Sequence, residues 1–206
     1  MMLPCARRSR GWLRAAQVAC VLVAGLGGVG CARGSISAQS RAEDGGLPID
    51  TEVMAYLSEA RALHHAANLR EDANDLPGAV ASLEQLVHAR KPHETEKVPE
   101  IEEVLADTYA RMAELRLRQK DVAGAEADAR AGLEHAPDPT YFRGHLLEVS
   151  GVVEETRAAA LADAGQAEKA ETARRRALDL LGQAVRVQDQ VVTRSLGGTD
   201  GGAAVP

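Results

Sequence analysis

The sequence repeats itself three times at an interval of 45 or 46 residues, and this periodicity restricts the fold more than any other feature. The segment DLPGA at 75–79 recurs as DVAGA at 121–125, and GQAEKA at 165–170 is a third copy. The alanines that end these segments lie 46 and 45 residues apart. Repeats of this length are typical of arrays in which one supersecondary unit stacks on the next, because a single unit cannot bury its apolar face alone.

The residues after each copy follow the period of an α-helix with one buried face, since apolar side chains recur every three or four residues. The 206-residue chain is only 2% aromatic, which argues against a β-sandwich or barrel. The sequence therefore predicts an all-α domain over 51–196, built from about three antiparallel helix–turn–helix hairpins. The aligned positions are Ala79/Leu83/Leu86/Val87, Ala125/Ala129/Gly132/Leu133 and Ala170/Ala173/Ala177/Leu178.

Capping residues predict where the helices begin and end, because Asp and Thr satisfy free backbone N–H groups and Pro is tolerated in the first turn. Pro and Gly after a periodic stretch end a helix. Expected starts are Asp50-Thr51, Asp75 with Pro77, Pro99, Asp121, and Asp138 with Pro139; expected stops are Lys91-Pro92, Pro137 and Gly197.

The last helix is expected to be unusually long, because no Pro follows Leu181 and apolar residues continue to about Leu196. Such a helix either caps the apolar end of the array or forms an adhesive face for a partner or a second copy of the chain. Residues 197–206 are glycine-rich and are expected to be a disordered tail.

Residues 1–30 have the pattern of a secretory signal peptide. Four arginines and no acidic residue precede an uncharged apolar run from Ala15 to Gly30, which is shorter than the roughly 20 residues of a membrane span. Cys5 and Cys20 fall inside this segment, so Cys31 is the single thiol of the expected mature chain. A lone exported Cys requires another explanation, such as intermolecular pairing, a reactive thiol or acylation.

The segment Gly28-Val29-Gly30-Cys31 resembles the lipobox of bacterial lipoproteins, although that family prefers an aliphatic residue where Gly28 stands. The resemblance implies that Cys31 carries a diacylglycerol and that the signal is cut just before it. Ala32 then favours the outer membrane of a Gram-negative bacterium, on its periplasmic face. Residues 31–50 would be a flexible tether. The alternative is ordinary cleavage near Ser35 to Ala38, which gives a soluble periplasmic protein.

The same segment also satisfies G-x-G-x-x-G, from Gly25 to Gly30, with Asp50 twenty residues further on. This motif binds a dinucleotide only inside a strand–turn–helix unit. A Ser- and Gly-rich stretch follows it here, so a nucleotide-binding enzyme is the less favoured alternative.

The repeated hairpins resemble the tetratricopeptide repeat (TPR), and the best match is 106–139. Tyr109, Met112 and Ala113 stand where the family has its aromatic, Leu and Gly, and Ala125 stands at the tight contact between helices. The period is 45–46 residues instead of 34. The first two copies also carry Arg70 and Arg116 at a usually apolar position. The resemblance implies a short TPR-like α-solenoid; a helical bundle with similar hairpins is the alternative.

Few residues suggest chemistry. The six histidines do not have the spacing of metal ligands and are expected to face solvent. The acidic pairs Glu102-Glu103 and Glu154-Glu155 are expected to be charged residues on helix surfaces. No nucleophile elbow or phosphate-binding loop with Lys is present. Beyond residue 30 the chain has 20 basic and 30 acidic residues, a balance unlike that of a nucleic-acid-binding protein. We therefore expect neither an enzyme nor a cofactor.

The expected function is protein binding. In the TPR family the first helices of successive repeats line a groove that holds a peptide or a helix, which implies a lipid-anchored scaffold for another envelope protein. The predicted groove residues are Arg61, His64, Asn68 and Glu71 in the first copy, Asp107, Ala110, Glu114 and Leu117 in the second, and Val152, Glu155 and Ala159 in the third.

Overall fold

The computed structural model describes residues 50–93 and 96–197, of which 84% are helical, and no strand occurs within these two ranges. The prediction of an all-helical domain is confirmed. The six helices are α1 (Thr51–Asp72), α2 (Leu76–His88), α3 (Pro99–Arg118), α4 (Val122–His135), α5 (Tyr141–Asp163) and α6 (Ala167–Gly197).

Four of the five predicted helix starts are confirmed, and capping explains three of them. Asp50 accepts from the N–H groups of α1, and Asp75 and Asp121 accept from Gly78 N and Gly124 N at 3.0 and 2.9 Å. The start predicted at Pro139 is wrong by two residues. Thr140 is the cap of α5 instead, with Oγ1 accepting from Arg143 N at 3.3 Å.

The three turns within the repeats share one backbone geometry. In each, a residue with positive φ follows the first helix, and the next residue donates its N–H back to a carbonyl five positions earlier, at 2.8–2.9 Å. This bond satisfies a carbonyl that the helix end leaves free. The positive-φ residues are Asn74 (59°), Lys120 (65°) and Gly165 (72°).

The helices pack in pairs, α1 with α2, α3 with α4 and α5 with α6. Each later first helix lies against the preceding pair: α3 contacts α1 and α2, and α5 contacts α3 and α4. The alanines Ala79, Ala125 and Ala170 are fully buried, as expected if they let the two helices of a pair approach closely.

Small residues also bring α6 close to α5. A Cβ added at Gly151 would lie 2.8 Å from Leu181 Cγ, and one at Gly144 would lie 2.4 Å from Gln188 Nε2. The long last helix is confirmed as far as Gly197, where the described part of the chain ends. Within the described residues, no helix is both long and apolar enough to cross a bilayer.

Two acidic side chains depart from the expected surface positions. Glu154 is only 8% exposed, because it lies against α4, where it shares a cavity with Ala129 and Leu133. Arg157, one turn further along α5, has its Nη1 2.6 Å from Glu154 Oε1. The second oxygen of Glu154 is buried without a hydrogen-bond partner. Glu102 is also largely buried and contacts His135.

Candidate functional site

The predicted groove residues lie on α1, α3 and α5, the three first helices of the repeats. We call the side of these helices that carries them the first-helix face. Because α3 contacts both α1 and α5, the predicted residues of successive copies come from neighbouring helices. The residues in question are Arg61, His64, Asn68, Glu71, Asp107, Glu114, Leu117 and Glu155.

A chain of contacts between charged and polar side chains runs across the first-helix face. The carboxylate of Glu71 on α1 accepts from Arg111 and Arg118 on α3. Arg111 Nη1 also lies 3.2 Å from Glu114 Oε2, and the other oxygen of Glu114 lies 3.6 Å from His145 Nε2 on α5. We call these five residues the first-helix network. Glu71 and Glu114 therefore bridge neighbouring repeats, a role that the sequence does not reveal.

His64 makes a second link between α1 and α3. Its Nε2 lies 2.9 Å from Thr108 Oγ1, and the Thr108 hydroxyl donates to Val104 O at 2.7 Å. Because the hydroxyl proton is used on that carbonyl, His64 must donate from Nε2–H, which assigns its neutral tautomer. Burial lowers the pKa of His64, while the charge of Asp107 opposes this shift.

The other predicted residues differ in accessibility. Arg61, Asn68 and Glu155 are exposed and Asp107 is partly exposed. Leu117 packs against the core cluster formed by α3, α4 and α5, and Ala110 is fully buried beneath the face. A partner on this face would therefore meet polar groups of both signs.

Sequence reasoning missed a cluster where α3 meets the end of α4. Glu102 Oε2 lies 2.9 Å from His135 Nδ1 and 4.0 Å from Lys97 Nζ, and the Tyr109 ring stacks on His135 with centroids 5.5 Å apart. The Glu102 and His135 side chains are 18% and 19% exposed, so the expectation that both face solvent is wrong. No local signal could have paired residues so far apart in the chain.

This cluster borders two cavities. One of about 200 Å³ is also lined by Pro99, Pro137 and Phe142, and the other measures about 390 Å³. Pockets that hold a small ligand are usually about 300–1,000 Å³ and mostly apolar. The larger cavity lies in that size range, but charged side chains such as Lys91, Glu96 and Lys97 line much of it. The contacts of Glu102 and His135 tie the end of α4 to α3.

Of the other histidines, His93 Nε2 lies 2.5 Å from Asp50 Oδ2. The hydrogen bond between them raises the pKa of His93 and lowers that of Asp50. No three His, Cys, Asp or Glu side chains in the described ranges are grouped as a metal site would require. Cys31 and the Gly25–Gly30 motif lie outside the described residues.

Comparisons with known proteins found no match to this chain. No protein-family model matches the chain, and neither a curated protein nor a solved structure matches it. Its function must therefore be argued from its own residues.

Proposed function

We propose that the chain is a membrane-anchored envelope lipoprotein that holds another protein on a short TPR-like α-solenoid. The order of helix contacts supports the solenoid arrangement. First helices pack against first helices, and α2 and α4 each pack against the next first helix. Within the described part, the backbones of the second helices do not approach one another closely. A closed bundle would bring those second helices together around a common core.

The first-helix network is the observation that carries the proposal. Its ion pairs join α1 to α3, and the contact between Glu114 and His145 extends the network to α5 through partly buried side chains, so the three helices present one continuous surface. Around this network, Arg61, Asn68 and Glu155 remain exposed. A preorganised polar face loses less conformational entropy when it binds a peptide or a helix than a mobile one would.

The proposed anchor is a lipid on Cys31, followed by a tether over 31–50 that ends where α1 begins. Two acyl chains hold a protein on a bilayer far more durably than one. A partner bound to the first-helix face would then stay near the membrane.

Exposed residues of the face provide the test of partner binding, because reversing Glu71 or Glu114 would also break the network. We expect Arg61→Glu together with Glu155→Arg to remove specific proteins captured from detergent-solubilised envelopes. The matched control is Arg130→Glu, a reversal of an exposed charge on α4. Identical partner sets for wild type and the double variant would refute binding on this face.

The anchor is tested by labelling cells with a clickable fatty acid and comparing wild type with Cys31→Ser. We expect label in the wild type alone. An unlabelled wild-type chain that begins beyond residue 31 would identify the soluble periplasmic alternative. An N-terminus that retains residues 1–30 would reopen the nucleotide-binding alternative.

A further inference from the structure

A row of large apolar side chains lies exposed along α6. Leu178, Val185 and Val192 are 70%, 69% and 55% exposed and follow one another at seven-residue intervals. Seven residues are nearly two full turns, so the three side chains lie on one face of the helix. The adjoining face of α6, about 100° around the helix from the row, buries Ala170, Ala173, Ala177 and Ala184 against the rest of the domain.

The repeats themselves indicate that a helix belongs on this row. Leu178 is equivalent to Val87 in the first copy and Leu133 in the second. Val87 packs in a cluster with Met112 and Leu115 of α3, and Leu133 packs against a cluster that includes residues of α5. In both cases the first helix of the next repeat covers the position, whereas no helix of the described residues covers Leu178.

The charged residues beside the row indicate which helix would cover it. Arg175, Asp179, Arg186 and Asp189 are exposed along one flank of the row. Arg175 and Asp189 lie seven residues before and after Gly182, and Asp179 and Arg186 lie three before and four after it. A second α6 running antiparallel places each basic residue near an acidic one, whereas a parallel copy places like charges together.

We propose that α6 pairs antiparallel with α6 of a second copy of this chain, centred between Leu181 and Gly182. Leu178 of each copy faces Val185 of the other, and the absence of a side chain at Gly182 leaves room for the partner helix. The contact is isologous, so each pairing occurs twice. This interface uses the last hairpin and does not depend on the proposed groove.

The experiment measures the dimer by sedimentation of the full chain in mild detergent. One helix pair is small beside the 1,200–2,000 Å² of standard interfaces, so we expect dissociation on dilution over roughly the micromolar range. Reversing one member of a symmetric charge pair, Arg175→Glu or Asp189→Arg, should weaken the dimer on the order of tenfold. The double variant should restore it.

Restoration is the decisive result, because residues 175 and 189 of one helix lie about 21 Å apart and cannot pair within a chain. Arg176→Glu, on another face of α6, is the control and should leave dimerisation unchanged. Val185→Asp should abolish the dimer, while Gln190→Asp should not. A chain that is monomeric throughout this range, a double variant as weak as the singles, or a row covered by residues 1–49 of its own chain would each overturn the proposal.

Discussion

Lys120 has a φ of 65° at the turn between α3 and α4, where the third repeat has Gly165 at 72°. The left-handed conformation brings the Cβ of an L-residue close to its own carbonyl oxygen and costs about 1–2 kcal/mol, which glycine avoids. The same turn is therefore strained in one repeat and relaxed in another.

We expect Lys120→Gly to raise the free energy of unfolding by about 0.5–1 kcal/mol, after the greater entropy of glycine in the unfolded chain is included. Gly165→Ala should lower it by about 1 kcal/mol, since its added Cβ meets no atom within 4 Å and only the backbone strain remains. Urea unfolding measures both. A loss of stability in Lys120→Gly would show that the turn carries no strain.

His64 should make stability depend on pH. Its pKa in the folded protein is below the ordinary value because of burial, whereas in the unfolded chain it is about 6.5. As the pH falls through 6.5, the unfolded state binds the proton more readily, so the free energy of unfolding falls until the pH reaches the folded pKa. Urea titrations at pH 7.5 and 5 should show this loss in the wild type.

In His64→Gln the loss should be smaller, because the amide still donates to Thr108 but does not titrate. His65→Gln, a change at the exposed neighbour, is the control and should behave like the wild type. An equal loss in wild type and His64→Gln would assign the pH dependence to other groups.

At the scale of helices, Arg116 joins three elements. Arg116 itself lies on α3. Its Nη2 is 2.7 Å from Glu84 Oε1 on α2, and its Nε is 2.6 Å from Asp128 Oδ2 on α4. Arg70, its counterpart in the first repeat, is exposed and donates to Gly78 O at 2.7 Å. Two residues at one repeat position thus have different structural roles.

Arg116→Met should therefore lower the free energy of unfolding by about 2 kcal/mol, because it leaves the largely buried Asp128 without its cation. Arg70→Met should cost about 0.5 kcal/mol, since it removes an exposed hydrogen bond. Thermal or urea unfolding of the two variants gives the comparison. Equal losses of unfolding free energy in the two variants would mean that the burial of Asp128 adds nothing to the cost of removing its cation.

Two glycines of α5 lie against α6, and a side chain added at each should have a different effect. Gly151→Ala should destabilise by about 1–2 kcal/mol, because the new Cβ meets the branch point of Leu181. Gly144→Ala should change the free energy of unfolding by less than about 1 kcal/mol, since the helix propensity of Ala offsets the exposed hydrogen bond from Gln188 to Tyr141 O, at 3.3 Å, that is lost when the amide moves aside. Circular dichroism during urea unfolding distinguishes the two, and a stabilising Gly151→Ala would show that α6 shifts freely on α5.

At the scale of the whole molecule, the middle repeat has neighbours on both sides and the outer two have one each. In stacked arrays, stability is the sum of each repeat and its interfaces. Amide hydrogen exchange should therefore be slowest in α3 and α4 and faster in α1 and at the C-terminal end of α6. Equal protection in all six helices would indicate a single cooperative unit instead.

Most helix boundaries followed from local sequence. The caps Asp50, Asp75 and Asp121 act on N–H groups two or three residues away, so their effect is contained in a short segment. The predicted start of α5 is wrong because the local sequence allows two helix starts, one with Pro139 in the first turn and one with Thr140 as the N-cap. The bond from Arg143 to Ala136 O at 2.8 Å belongs to the turn that favours Thr140.

The candidate site was predictable only in part. The repeat placed Arg61, Asn68 and Glu155 on the first helices, because position within a periodic helix sets its face. The partners of Glu71 and His64 lie 40 and 44 residues away, and no local pattern reports them.

The sequence by itself determined that the described chain is helical, where most helices begin, and which alanines lie between paired helices, because caps, turns and periodicity act over a few residues. Only the tertiary structure decided which charges bridge repeats, that Glu102 and Glu154 are largely buried, and that no helix of the described residues covers the row on α6. Those outcomes depend on which helices become neighbours, and packing of the whole domain settles that.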